Sequence, residues 1–360
     1  MFENKPISEI ISLIQSKEVS VKEVVTFYLK RIKKYNPTLN AIVLQKDEQK
    51  IIDEANLIDK KENDKNKPLI GLPIACKDLF DIEGMPSTYG YPDFKNNIAK
   101  KDSLIVNRLK NSGAIIIGKT NTAELGVGGH TTNRLFGPTS NPYNTSKSAA
   151  GSSGGAGSAV AAGLLPFADG TDMMGSCRAP AAYANIYGFR PTTGLIPTDR
   201  SSEKKLDNIP MLTTPGCFAA TPDDMSLMLD CIVGSDPLDP LSINLNSSFK
   251  ESLNNKKKFS NLKVCWLSDL NGEYIFEHGI IEMCENKLKD LNKYNLEVEP
   301  LKSKITTIDL WESWNTLRAK SIFDDTKSMN IENIKRMTPQ AIWEYQKGEK
   351  VKKSDIEKAL

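Results

Sequence analysis

A run of serine and glycine that continues directly into an apolar segment constrains the fold more than any other feature of this sequence. Residues 146–158 read Ser-Lys-Ser-Ala-Ala-Gly-Ser-Ser-Gly-Gly-Ala-Gly-Ser, and residues 159–167 read Ala-Val-Ala-Ala-Gly-Leu-Leu-Pro-Phe. A flexible linker shares the first composition but rarely runs straight into a segment that must be buried. Such small residues permit backbone geometry that larger residues could not adopt. The run therefore predicts a tight loop packed at the start of a core helix.

Strand-like and helix-like segments alternate along much of the chain. Helical periodicity marks residues 7–34, where we expect two helices, and residues 47–61, 103–110, 154–163, 223–233, 280–291 and 331–360. Ser20 and Glu23 form a capping-box pattern at the start of the second helix. Strand-like apolar runs occupy residues 41–44, 69–76, 114–117, 188–196 and 262–267. The alternation predicts an α/β sandwich, with a charged loop at residues 60–67 and a surface linker at residues 250–258.

Composition and charge exclude several classes of protein. The 47 basic and 45 acidic residues give a formal net charge of +2, so no strong field attracts nucleic acid or an anionic membrane. The six cysteines form no C-x-x-C pair, which argues against the usual zinc and dithiol patterns and fits reduced thiols in the cytoplasm. We find no signal peptide and no apolar run of membrane-spanning length. We therefore expect a soluble, cytoplasmic protein.

One formal motif match does not survive inspection. Residues 113–120 read Gly-Ala-Ile-Ile-Ile-Gly-Lys-Thr and satisfy the phosphate-loop pattern G-x-x-x-x-G-K-T. A phosphate loop follows a strand and has small or polar residues inside it, so that its N–H groups converge on phosphate. Here the interior is itself strand-like and the preceding segment is helical. The pattern favours a buried strand that leads into a loop.

A serine with backbone donors around it needs a base, and the chain offers few candidates. Residues 169–178 read Asp-Gly-Thr-Asp-Met-Met-Gly-Ser-Cys-Arg, a tight turn whose N–H groups could bind an oxyanion. Of the two histidines, His278 lies in a polar segment, and His130 lies in a Gly-Gly-His loop with no orienting carboxylate nearby. Lys77 ends an apolar strand, and a buried lysine with a lowered pKa can act as a base. Taken alone, such a lysine more often reaches solvent.

Three segments, in this order, resemble the amidase signature family: residues 71–78 (Gly-Leu-Pro-Ile-Ala-Cys-Lys-Asp), residues 151–155 (Gly-Ser-Ser-Gly-Gly) and residues 170–180 (Gly-Thr-Asp-Met-Met-Gly-Ser-Cys-Arg-Ala-Pro). Ser152 and Ser176 are 24 residues apart, which is the spacing of the two catalytic serines of that family. Three motifs in the right order are far more specific than one.

The resemblance implies a mixed central β-sheet sandwiched between helices, in a single domain over residues 1–360. Within it we expect a helical region at residues 1–66, a catalytic core at residues 67–235 and a C-terminal portion at residues 250–360. Family members usually continue well beyond position 360, where the later part completes the sheet and the substrate pocket. We therefore expect a shortened member or a fragment, with the fold incomplete at its C-terminus.

The resemblance also implies a mechanism. Ser176 would attack the carbon of a carboxylic amide and form an acyl-enzyme, while Ser152 relays the proton between Ser176 and neutral Lys77. The Gly151–Ser152 peptide bond would be cis. Water then releases the acid, and neither a metal nor an organic cofactor is needed. Four consecutive backbone N–H groups would form the oxyanion hole: those of Met173, Met174, Gly175 and Ser176.

Further roles follow from the same resemblance. The residues expected to contact substrate are Gly126, Gly128, Gly129 and His130. The residues expected to support the site are Gly151, Ser153, Asp172 and Arg178. Two positions depart from the family, since Met174 and Ala150 stand where glycine is usual. A side chain at position 174 is expected to crowd the oxyanion hole or to narrow the pocket, and the change at position 150 is milder.

Three functions stay open. The first is a free-standing amidase that acts on a small-molecule amide, with no direct nucleic-acid or membrane partner; a homodimer is left open. The second is the glutamine-hydrolysing component of a tRNA-dependent amidotransferase, ranked lower because residues 191–197 and 236–240 look more like those of free-standing amidases. The third is a non-catalytic member or fragment that binds without turnover, which Met174 and the early C-terminus motivate.

Overall fold

The structure is a computed structural model that describes residues 2–3, 5–61, 66–200, 212–254, 262–270, 272–301 and 306–360. The chain forms two compact units, of which the first comprises Met1–Lys250 with Met329–Trp343 and the second Glu251–Ser328 with Glu344–Leu360. The first unit contains every residue of the predicted site. The domain boundaries expected from the sequence stay a prediction.

Two amphipathic helices open the first unit, α1 (Ile7–Gln15) and α2 (Val21–Leu39). The buried face of α1 consists of isoleucines at helical spacing, Ile7, Ile10, Ile11 and Ile14. α2 begins at the predicted capping box, in which the Ser20 hydroxyl accepts from the Glu23 N–H and the Glu23 carboxylate accepts from the Ser20 N–H. It ends at Asn40, whose φ of +50° is left-handed. Both predicted helices are confirmed.

The first sheet has the strand order β1-β3-β2, with β1 at Ile42–Gln45, β2 at Pro73–Lys77 and β3 at Ile115–Thr120. β2 and β3 run parallel, and β1 pairs with β3 antiparallel. Every residue of β2 and β3 is buried, which explains their nearly continuous apolar runs. Because β3 includes Gly118-Lys119-Thr120, the strand interpretation of residues 113–120 is confirmed.

The second sheet is antiparallel, with the order β4-β6-β5, where β4 spans Phe167–Asp172, β5 Tyr187–Phe189 and β6 Thr214–Ala219. β4 contacts β2 of the first sheet, so the two sheets meet where Lys77 ends its strand. Helices pack against both sheets. The mixed α/β fold class is confirmed.

Five further helices of the first unit are α3 (Glu48–Asp59), α4 (Leu104–Asn111), α5 (Gly154–Ala161), α6 (Arg178–Tyr183) and α7 (Pro222–Ile232). α5 is built only from glycine, alanine, serine and valine, and it contacts strands of both sheets, β1, β2, β3, β4 and β6. Small side chains permit this close approach. The helix predicted from the serine–glycine run is therefore confirmed as a core helix.

The remaining elements, in chain order, are α8 (Phe249–Asn254), β7 (Val264–Trp266), α9 (Ile280–Leu288), β8 (Val298–Pro300), α10 (Thr307–Thr326), α11 (Ile331–Lys335), α12 (Pro339–Glu349) and α13 (Lys353–Ala359). In the second unit β7 and β8 pair in parallel, and α10 contacts α13. The rings of Phe323 and Tyr345 lie 5.1 Å apart, and Arg318 donates to the Glu344 carboxylate at 2.6 Å. Among the described residues, no helix has both the length and the apolar composition needed to cross a membrane.

Several sequence-based assignments need correction. β4 and β6 were not predicted, because their residues, Phe-Ala-Asp-Gly-Thr-Asp and Thr-Pro-Gly-Cys-Phe-Ala, have a turn-like composition. The strand expected over residues 188–196 is only the short β5. Residues 249–254 of the expected linker are helical in α8. Residues 255–258 of that linker, and residues 62–65 of the charged loop, lie outside the described residues.

The close approach of α5 to the first sheet generates a stability prediction. A Cβ at Gly155 would lie 2.4 Å from the Asn121 nitrogen and 2.6 Å from the Ala41 oxygen, two atoms that are hydrogen-bonded to each other. Gly155→Ala should therefore destabilise the fold by about 1–3 kcal/mol, as overpacking does, despite the better helix propensity of alanine. Thermal melting measures this as a drop of about 2–4 °C for each kcal/mol.

Gly129→Ala is the matched control, because a Cβ there meets nothing within 4 Å. Its melting temperature should equal that of the unmodified chain. Equal melting temperatures for the two variants would show that α5 lies further from the sheet than the structure has it.

Candidate functional site

Lys77, the last residue of β2, is fully buried. Its Nζ donates to the hydroxyls of Ser152 at 2.8 Å, Ser153 at 2.7 Å and Thr171 at 2.8 Å. An ammonium group has three donors, so these hydroxyls satisfy all of them. The alternative interpretation, in which Lys77 reaches solvent from the end of a strand, is wrong.

Burial lowers the pKa of Lys77 from its ordinary value of 10.5 to about 8, because the charged form loses its hydration. Electrostatic interactions with Cys177, Asp169 and Asp172 act in the opposite direction. Asp169 also accepts the Lys77 backbone N–H at 2.6 Å, and burial raises the pKa of that carboxyl to about 6. A lysine with a pKa of about 8 has a substantial neutral fraction near neutral pH and can act as a base.

The loop before α5 delivers two of the three hydroxyls. The peptide bond between Gly151 and Ser152 is cis, as the resemblance implies. Ser152 and Ser153 are both buried, and the Ser152 carbonyl accepts from the Ala123 N–H at 3.1 Å. Ala150, just before, has a φ of +57°. Only glycine adopts this conformation without steric cost, which is why glycine would suit position 150 better.

Asp172 holds the loop that carries Ser176. Its carboxylate accepts from the backbone N–H groups of Gly175 at 2.7 Å and Cys177 at 3.1 Å, and from Arg178 Nε at 3.0 Å and Nη2 at 2.9 Å. Burial acts to raise the pKa of Asp172, but these hydrogen bonds outweigh it and hold the pKa below its ordinary value. Ser176 lies between the two anchored amides. The support expected from Asp172 and Arg178 is consistent with this geometry.

The residues of the expected oxyanion hole, Met173–Ser176, form the turn between β4 and α6. Ser176 is half-buried, and the side chain of Met174 is 55% exposed. The Gly175 N–H donates to Asp172, so in this conformation it is directed at the carboxylate. The oxyanion hole stays a prediction.

The loop with the expected substrate contacts lies beside Ser152. A Cβ at Gly126 would come within 4.0 Å of Ser152 Oγ, and one at Gly151 within 2.7 Å of the carbonyl carbon of His130. His130 and Gly129 are exposed, and His130 Nδ1 lies 2.8 Å from the Ser148 hydroxyl. The loop therefore borders the site at its backbone, while its binding role stays a prediction.

The segment Met329–Trp343 packs against this same loop, and nothing in the sequence indicated it. The buried Glu124 carboxylate accepts from the Thr338 N–H at 2.8 Å and from Arg134 at 3.0 and 3.1 Å. The Gln340 side chain lies near Gly128, since a Cβ on that glycine would be 3.9 Å from Gln340 Oε1. A glutamate and an amide 214 residues apart leave no local sequence signal.

Two further residues of the site were missed. Thr171 is the third acceptor of Lys77, and the only available signal was its place one residue before Asp172. Arg190 lies with its Nε 3.5 Å from Asp172 and donates to the Leu212 carbonyl at 3.0 Å. It is therefore a second cation beside the carboxylate that anchors the Ser176 loop.

This arrangement is that of an amide-hydrolysing family. The family model described as Amidase matches residues 23–353. The chain belongs to the amidase family, and its resemblance to the amidase signature enzymes is confirmed.

Individual relatives share only part of their length with this chain. An acylamidase from Rhodococcus erythropolis is 36% identical over 293 residues, which are 81% of this chain and 60% of that protein. The first component (A) of the glutamyl-tRNA(Gln) amidotransferase from Thermus thermophilus is 36% identical over 247 residues, which are 68% of this chain and 50% of that protein. The crystal structure of a bacterial aryl acylamidase of the amidase signature family has a TM-score of 0.88 and 25% identity, covering 99% of this chain and 74% of that one. The chain thus spans between half and three-quarters of these proteins.

The anchoring of the Ser176 loop by Asp172 can be measured directly. Asp172→Asn removes the charge from hydrogen bonds worth about 1.5–3 kcal/mol each and places an amide donor among other donors. The N–H groups of Gly175 and Cys177 should therefore exchange with solvent deuterium roughly ten- to hundredfold faster. Hydrogen exchange followed by NMR measures each amide separately. Asp223→Asn, an exposed aspartate in the first turn of α7, should leave both rates unchanged; unchanged rates in Asp172→Asn would contradict the anchoring.

Proposed function

We propose that the chain hydrolyses a carboxylic amide to an acid and ammonia or an amine. The observation that carries this proposal is the contact of 2.8 Å between the buried Lys77 Nζ and Ser152 Oγ, next to the loop of Ser176. Membership of the amidase family supports it. In this proposal the three residues form the catalytic triad.

In the acylation step, neutral Lys77 accepts a proton from Ser152 while Ser152 takes one from Ser176. The Ser176 oxygen attacks the amide carbon, and the carbonyl oxygen becomes an oxyanion. When the intermediate collapses, the carbon–nitrogen bond breaks and Ser152 delivers a proton to the leaving amine. Water then attacks the acyl-enzyme through the same relay, which restores Ser176 and releases the acid.

Backbone N–H groups of the loop Met173–Ser176 stabilise the oxyanion in this proposal. One such donor is typically worth about 3 kcal/mol of transition-state stabilisation. The exposure of Met174 supports a loop whose interior side is left open to substrate, with the thioether facing outward. A change in backbone direction at Gly175 on binding would release its N–H from Asp172 to join this hole.

The substrate we propose is a small-molecule acyl amide, with Gly126, Gly128, Gly129 and His130 in contact with it. Similarity to proteins named acylamidase and aryl acylamidase supports this class. A cytoplasmic location is supported by six cysteines that are all free thiols. Neither a nucleic acid, a membrane nor a cofactor is part of the proposal, and a homodimer is left open.

A second candidate function is the glutamine-hydrolysing component of a tRNA-dependent amidotransferase, which the similarity to the Thermus thermophilus protein favours. That function needs a partner that receives the ammonia. Co-purification with a tRNA-binding partner, together with glutamine hydrolysis only in its presence, would favour this candidate over the free-standing amidase. Hydrolysis of acyl amides by the isolated chain would favour the first.

A fluorophosphonate probe tests whether the serine is activated at all. We expect the folded chain to be labelled at Ser176, with labelling abolished in Ser176→Ala and at least about a hundredfold slower in Lys77→Ala, since general-base catalysis is worth about 10²–10⁴. Gel fluorescence and mass spectrometry of the labelled peptide measure rate and position. Ser146→Ala, an exposed serine of the same run, should be labelled normally. A folded chain that resists the probe would support the non-catalytic alternative.

The pH dependence of this labelling should report Lys77. Because its pKa is lowered to about 8, the lysine is protonated and inactive at lower pH, so the rate should rise about tenfold per unit up to pH 8 and level off above it. Asp169→Asn removes a negative charge that favours the ammonium form, so the midpoint should move to lower pH. Rates measured between pH 5.5 and 10 test both points; an unchanged midpoint in Lys77→Ala would assign the titration to another group.

A further inference from the structure

A second buried lysine, Lys119, is not part of the proposed relay. Its Nζ donates to Asp78 Oδ1 at 3.0 Å and to Ser87 Oγ at 2.9 Å. The exposed fractions of the two charged side chains are 0% and 1%. Replacing such a buried ion pair by apolar residues is often neutral or stabilising. Stability alone is therefore a weak reason for this pair, and its place in the fold suggests another.

The ion pair joins the ends of the two strands that deliver Lys77. Asp78 directly follows Lys77, and its N–H donates to the Thr120 carbonyl at 3.1 Å. In the parallel register Lys77 is paired with Thr120, and Cys76 with Lys119. A displacement of either partner would thus shift the backbone from which the Lys77 side chain extends.

The Asp78 carboxylate also holds the segment that follows β2. Its Oδ1 accepts from the Thr88 N–H at 3.2 Å, and its Oδ2 accepts from the Thr88 hydroxyl. The hydroxyl of Thr88 in turn accepts from the Gly90 N–H at 3.1 Å. The carbonyl of Tyr89, between these two, accepts from the Leu125 N–H at 2.7 Å. The carboxylate therefore fixes the carbonyl that positions Leu125.

Leu125 and Gly126 carry this restraint to Ser152. A Cβ at Gly126 would lie 4.0 Å from Ser152 Oγ and 2.9 Å from Leu79 Cδ1. Just upstream, the Ala123 N–H donates to the Ser152 carbonyl at 3.1 Å. The ion pair is thus connected to both members of the lysine–serine contact, to one through β2 and to the other through this loop.

We propose that Asp78 and Lys119 are positioning residues that keep Lys77 Nζ within hydrogen-bond distance of Ser152. The proposal rests on the proposed function, in which this contact moves the proton. The contact is 2.8 Å long, and a misplacement of about 1 Å can cost a hundredfold in rate. A buried ion pair suits this task because each partner also binds a hydroxyl from the neighbouring segment, which fixes its direction.

The test compares Lys119→Met in two backgrounds. With Lys77 present, we expect fluorophosphonate labelling of Ser176 to slow about ten- to hundredfold. In a Lys77→Met background the same substitution should cause no further loss, because residues that act as a unit are non-additive. Damage to the fold in general would lower the rate by the same factor in both backgrounds. Circular dichroism and thermal melting give the folded fraction by which each rate is corrected.

Lys110→Met is the matched control, since Lys110 pairs with Asp102 in the same unit and should leave labelling unchanged. If Lys119→Met does not fold, Asp78→Asn combined with Lys119→Met removes both charges and leaves no buried charge unpaired. Equal losses in both backgrounds, or no loss in the folded variant, overturn the proposal.

Failure of the proposed function is distinguishable from failure of this inference. If the unmodified chain is not labelled, the function is refuted, and a crystal structure of the folded variant then decides the positioning. A longer distance between Lys77 Nζ and Ser152 Oγ in that structure supports it. An unchanged distance overturns it.

Discussion

The structure of the first unit depends on one buried ammonium group. Lys77 loses its hydration completely, which is tolerable only if each of its three donors finds an acceptor. The acceptors come from separate parts of the chain, with Ser152 and Ser153 before α5 and Thr171 on β4. Satisfying this one group therefore fixes the first sheet, the second sheet and the core helix relative to each other within the unit.

Close approach of α5 follows from that requirement. A serine side chain is short, so the helix that carries Ser152 and Ser153 at its start must lie almost against the strands to reach Lys77. Gly155 lies over the backbone of Asn121, and a Cβ on Gly170 of β4 would come within 3.1 Å of Ser153 Oγ. The serine–glycine run that dominates the sequence is thus the composition that this contact between helix and sheet demands.

The parts of the fold that were predictable are those with a local pattern. α1, α2, α4 and α7 were evident from their helical periodicity, and β2 and β3 from continuous apolar runs. The site was located by three motifs, but its full membership was not, because contacts such as that of Glu124 with Thr338 join distant residues. The burial of Lys77 could not be read from the residues either, since it depends on hydroxyls far away in the sequence.

β4 shows why the site and the failures of prediction coincide. Residues two apart on a strand share a face, so Asp169 and Thr171 face Lys77 while Asp172 faces the opposite side and anchors the Ser176 loop. A slip of one residue in the register would exchange these two tasks. The strand therefore needs polar residues on both faces, and an apolar alternation is excluded by its function. Local preference yields to the site here, as expected where a fold carries chemistry, and this is the strand that sequence patterns missed.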